Sequence, residues 1–115
     1  MNKVFLVGRL GADPEYKGTK GGELCRFSVA TSEKFLSDGE IKERTEWHRV
    51  VVWGKLALTC SKHLTKGAQV AIEGRLQTRA WEGERGKSYS TEVIADDVKF
   101  LDLKKKRAAG GGLPL

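Results

Sequence analysis

The chain reads as an all-β protein, five strands closing into a barrel with one short helix between the third and the fourth. Three observations carry this reading. Most of the sequence alternates apolar and polar side chains with the period of a half-buried strand. One change of period, after Gly54, sets Leu56, Ala57, Cys60 and Leu64 at helical spacing. At 115 residues, 39% of them hydrophobic and 31% charged, the chain has room for one modest core and no second domain.

The first strand covers residues 2–10, where Lys3, Phe5, Val7 and Arg9 alternate with Val4, Leu6, Gly8 and Leu10. Both sets are largely apolar, which suits a central or an interface strand. Residues 11–22 gather Asp13-Pro14, Gly18 and Gly21-Gly22, turn formers that break the alternation and predict a loop. The second strand, 23–34, sets Cys25, Phe27, Val29 and Thr31 against Arg26, Ser28, Ala30 and Ser32. Residues 35–43 hold Asp38-Gly39, a hairpin-type turn, and predict an extended finger with Phe35 at its base.

The third strand, 45–55, has three valines between two tryptophans, and Gly54 interrupts the run. Alternation puts Trp47, Arg49, Val51, Trp53 and Lys55 on one side and His48, Val50 and Val52 on the other. The second set suits a core. A core would reject the cations of the first set, so that side faces a ligand. The helix follows, ending in a basic last turn at Lys66 with Gly67 as its terminal glycine, and plugs the core. The fourth strand, 68–81, turns Val70, Ile72, Gly74 and Leu76 inward and Gln69, Glu73, Arg75, Gln77, Arg79 and Trp81 outward. Gly83 and Gly86 mark a second exposed hairpin, after which a fifth strand covers 88–95 and a short apolar stretch covers 98–103.

At strand rise Trp47 and Trp53 lie roughly 20 Å apart, too far to grip one small molecule. Flat rings along a track, interleaved with Arg49 and Lys55, suit a single-stranded nucleic acid whose bases stack while its phosphates meet the cations. The competing reading buries both indoles in a sheet packed on both faces. Trp81 among arginines repeats the same design on the fourth strand, and core packing explains one such face more easily than two.

A net charge of +6 favours a polyanionic partner. No apolar run approaches the about 18 residues of a spanning helix, and the apolar run after Lys3 ends at Gly8-Arg9, too soon for a secretory signal. Cys25 and Cys60 lie far apart with no C-x-x-C spacing, the pattern of reduced thiols in a cytosolic protein. Together with His48 and His63 they make a formal two-Cys, two-His set. Only Cys60 and His63 are close in sequence, so no zinc site is expected. A metal-dependent nuclease would need converging carboxylates, whereas Asp96 and Asp97 are adjacent and point to opposite faces of a strand.

Five strands with one helix between the third and fourth is the element order of an OB-fold, the Greek-key barrel that binds oligonucleotides. The segments T-E-W-H-R-V-V-V-W-G-K, N-K-V-F-L-V-G-R-L-G-A-D-P-E, A-T-S-E-K and V-A-I-E-G-R-L-Q-T-R-A-W resemble bacterial single-stranded DNA-binding protein over residues 2–100. Base stacking with cations on phosphates is the known binding mode of that family. The resemblance implies a homotetramer that coats single-stranded DNA in replication, recombination and repair, without catalysis or cofactor, in the cytoplasm with the nucleoid. Carried over by position, the stacking aromatics are Trp47, Trp53 and Trp81, with Phe35 where the family more often has tryptophan. The phosphate contacts are Lys3, Arg49, Lys55, Lys66 and Arg79, and His48 lies at a subunit interface.

The binding domain is expected over 1–103, and 104–115 as a basic, then Gly-rich, disordered tail. Family members usually end in an acidic, apolar tip that recruits replication and repair proteins. This sequence stops at Gly-Gly-Gly-Leu-Pro-Leu without an acid, so either the chain is truncated or its partners differ. Two neighbouring readings share the chemistry: a primosomal replication accessory protein, which is a dimer without such a tail, and a cold-shock-type RNA-binding module.

Overall fold

The structure, a computed structural model, describes residues 1–101. The elements run β1 (Val4–Leu10), β2 (Glu15–Thr19), β3 (Gly22–Ser37), β4 (Glu40–Trp53), α1 (Lys55–His63), β5 (Gln69–Gly83) and β6 (Gly86–Phe100). The sheet order is β1-β5-β6-β4-β3-β2, and β1 also pairs with β3, which closes five of the strands into a barrel. This is the OB-fold architecture the sequence predicts.

Two boundaries differ from expectation. The helix lies between the fourth and fifth strands, because the predicted loop 11–22 contains an extra strand, β2. All five residues of β2 are exposed, so no burial pattern marks it. Hydrogen bonding to β3, in register from Glu15 opposite Arg26 to Thr19 opposite Gly22, makes it a strand. The helix also stops earlier, at His63. Leu64 takes an extended conformation and its N–H is bonded to the Cys60 carbonyl, so Lys66-Gly67 lies in the loop beyond. Lys62 and His63 supply the basic last turn instead.

The finger is longer than the turn signal alone suggests. β3 and β4 stay paired out to Ser37 opposite Glu40. Asp38 and Gly39 both take positive φ, 52° and 77°, as a two-residue hairpin turn that preserves strand twist requires. β5 and β6 make a second finger, paired out to Gly83 opposite Gly86. Fifth strand and apolar stretch are one element, β6, interrupted only by a bulge at Glu73/Gly74 of its partner.

Inside the barrel, Leu10, Cys25, Phe27, Val29, Val50, Val52, Val70, Ile72 and Val93 form the core, and α1 closes it with Ala57 and Cys60, followed by Leu64 just beyond the helix. Burial pushes both thiols above their ordinary range. For Cys60 the value reaches about 12, mainly from desolvation and secondarily from the charge of Cys25. Leu76, read from its parity as an inward residue, is exposed. It sits past the bulge, where the second finger leaves the barrel and its inner side no longer has a core to meet. None of the helices among the described residues is long and apolar enough to cross a membrane.

Candidate nucleic-acid interface

β4 passes through the barrel wall with alternating sides, and its pairing with β3 fixes what stands beside each residue. Trp47 faces Ala30, Arg49 faces Ser28, Val51 faces Arg26 and Trp53 faces Leu24. Cross-strand partners project from the same side of a sheet, so these eight residues form one outer surface. β6 joins it in parallel, with Ile94 beside Val51, and β5 continues it through Gln77 opposite Glu92, Arg79 opposite Ser90 and Trp81 opposite Ser88. Two separated stretches of sequence that interleave indole with cation therefore lie on one continuous face.

The tryptophans are not core residues. Trp47 is 60% exposed, Trp53 47% and Trp81 46%. The Val51 side chain is nevertheless buried, in a small second apolar cluster with Leu24 and Ile94. This cluster gives the outer face an apolar floor between the two indoles of β4.

The cations have distinct settings. Arg49 donates from Nη1 to Ser90 Oγ at 2.9 Å, a neutral partner that leaves its charge uncompensated. Arg79 donates from Nε and Nη2 to the two carboxylate oxygens of Glu92, at 3.2 and 3.3 Å, and its guanidinium carbon lies 5.4 Å from the Trp81 ring centroid. An open groove of about 340 Å³ brings Arg49, Arg79 and Arg26 together with Asp13, Glu15 and Glu92. A second groove of similar size runs between β4 and the second finger, walled by Trp47, His48 and Tyr89, and shares Arg49 with the first.

Other predicted residues lie apart from this face. Lys55 does not share the β4 side: the strand ends at Trp53 and Lys55 is the first residue of α1, exposed one residue beyond the N-cap Gly54. Lys66 is exposed in the loop after α1, where its backbone N–H donates to Asp13 Oδ1 at 2.8 Å, tying that loop to the groove wall. Lys3 precedes β1 and pairs with Glu73 at 3.2 Å, both half exposed. Phe35 pairs with Lys42 along the first finger and so lies on the ribbon side opposite Trp47. Arg44, ion-paired with Glu33 at 3.6 Å, lies over the Phe35 ring at 4.7 Å.

His48 is half-buried, and its Nε2 is 2.8 Å from Thr31 Oγ1, so a hydrogen-bond partner exists within the chain. Elsewhere on the barrel, β1 turns Phe5 and Val7 outward, 72% and 58% exposed. Three participants escape a reading by residue type: Arg26 and Glu92, which line the first groove, and Gly11, which packs against the Trp47 ring. Parity already places Arg26 on the side away from the core, but only the register sets it against Val51. No group of three or more His, Cys, Asp or Glu residues that could hold a metal occurs among the described residues. The expected tail, 104–115, lies outside the described residues.

Comparison with known proteins shows the family. The model of the Single-strand binding protein family matches residues 1–101. Single-stranded DNA-binding protein 1 of Chlorobaculum tepidum is 51% identical over 116 aligned positions, covering 97% of this chain and 70% of that protein. Among solved structures, the Plasmodium falciparum SSB complex with ssDNA superimposes with a TM-score of 0.82 at 37% identity, covering 89% of this chain and 96% of that one.

Proposed function

Because the chain belongs to the single-strand binding protein family, we propose that it binds single-stranded DNA without sequence preference and coats it during replication, recombination and repair. The observation that carries this reading is the outer side of β4, where two indoles, each about half exposed, flank Arg49 over an apolar floor. Exposed indole is costly in water, and a base face covers it while Arg49 meets the phosphate.

In this reading bases stack on Trp47, Trp53 and Trp81, and phosphates meet Arg49, Lys55 and Lys66 along the barrel and the loop after α1. Phe35 and Lys3, which lie off that face, serve a strand that wraps around the protein. The second groove lets the strand pass between β4 and the second finger. Residues 1–103 act as the binding domain and 104–115 as a tail. The assembly is a homotetramer built partly through His48 and the outer side of β1, whose exposed Phe5 and Val7 suit burial against another copy. Holding and releasing a strand needs no turnover, cofactor or metal, and the site of action is the cytoplasm, with the nucleoid.

The test is equilibrium binding to single-stranded DNA, duplex DNA and RNA of the same sequence and length. Stacking needs free base faces, so single strands bind far more tightly than duplex. Equal affinity for single strand and duplex sinks the reading, and a clear preference for RNA over DNA favours the cold-shock type of function.

A further inference from the structure

We propose that Glu92 is a positioning residue that turns Arg79 from a phosphate contact into a flat platform for a base beside Trp81. The inference rests on the single-strand-binding reading and concerns how one part of that face works.

Glu92 is the one buried acid among the described residues, its side chain 8% exposed, and it lines the groove of a protein read as a polyanion binder. A carboxylate withdrawn from water needs a compensating partner. Arg79 supplies it through two bonds, while remaining 48% exposed itself. The acid is therefore hidden and the guanidinium shows. Two bonds along one edge fix the plane of the guanidinium, and the same group lies 5.4 Å from the Trp81 centroid. Planar guanidinium faces stack on bases as aromatic rings do.

Charge balance gives the pair its second property. An ion pair carries no net charge, so a phosphate arriving there displaces no condensed counterion. Arg49 is the internal contrast: its partner is the neutral hydroxyl of Ser90, and it keeps a full charge for phosphate. Two arginines that look alike in the sequence thus divide the work.

The experiment measures affinity for a labelled homothymidine oligonucleotide across a salt series, for the parent, Glu92→Gln, and the double variant Arg79→Gln/Glu92→Gln. Glu92→Gln uncovers the Arg79 charge, so its plot of log affinity against log salt is steeper than the parent's by about 0.7. The double variant keeps the parent's slope and binds at least about fivefold more weakly at every salt concentration, having lost the platform. It leaves no buried charge unpaired, so it reports even if the single variant folds poorly. A parental slope in Glu92→Gln, or a double variant shallower than the parent by about 0.7, makes Arg79 an ordinary phosphate contact and overturns the proposal. A parent that fails to bind the oligonucleotide overturns the functional reading instead.

Discussion

The Gly11 Cα lies directly against the six-membered ring of Trp47: a methyl group there would come within 2.8 Å of the ring carbon Cη2 and closer still to Cζ3. The space belongs to the indole, and only a residue without a Cβ leaves it there. Gly11→Ala therefore displaces Trp47 from its place on the outer face. Affinity for single-stranded DNA falls by about 1 kcal/mol, part of the worth of one stack. Stability changes little, because a half-exposed ring can move. A variant that binds like the parent would show that the ring position is immaterial.

Trp47→Ala and Trp53→Ala each weaken binding by roughly 1–3 kcal/mol and leave thermal unfolding nearly unchanged. A core tryptophan would instead lose about 3–5 kcal/mol of stability. Because Trp47, Trp53 and Trp81 are the only three tryptophans, single-stranded DNA also quenches most of the intrinsic emission. Unfolding of both variants, with parental emission indifferent to oligonucleotide, would remove the stacking face.

Salt weakens binding in proportion to the phosphates engaged. Arg49, Lys55 and Lys66, without Arg79 and Lys3 whose charges are balanced by Glu92 and Glu73, give a slope of roughly −2 in log affinity against log salt, at about −0.7 per contact on a single strand. The measurement is the same titration repeated at rising ionic strength, and a flat response would remove the electrostatic half of the mechanism.

His48→Ala makes the oligomer dissociate at higher protein concentration than the parent, read by native mass measurement on dilution. The lost bond to Thr31 costs the single chain only about 1 kcal/mol. An oligomer as resistant to dilution as the parent would confine His48 to that intrachain bond.

Alkaline pH destabilises the fold through Cys60. Its thiol ionises near 9.0 when unfolded and near 12 when folded, so the folded state holds a proton that the unfolded state releases. The stabilisation is complete below about pH 9 and is lost as pH rises toward 12, by about 1.4 kcal/mol per pH unit. Urea unfolding at a series of pH values checks this: Cys60→Ala flattens the alkaline fall relative to the parent, and an unchanged fall would assign it to other groups.

What the sequence determined by itself follows from local periodicity. Alternation along 45–53 places Trp47, Arg49 and Trp53 opposite Val50 and Val52 whatever the rest of the chain does, since successive side chains of a strand point to opposite faces. Asp38-Gly39 likewise specifies its turn, and the spacing of Ala57, Cys60 and Leu64 its helix. Tertiary structure decided everything that depends on register and closure. β2 has no burial pattern and exists through its bonds to β3. Leu76 keeps inward parity but has no core beneath it once the finger leaves the barrel. Lys55 leaves the β4 face because the strand stops at Trp53 and the chain turns into α1. The meetings of Arg79 with Glu92, Arg49 with Ser90, His48 with Thr31 and Gly11 with Trp47 join residues from different strands or from loop to strand. Periodicity says which side of its own strand a residue takes, and only the pairing of strands says which residue of another it meets.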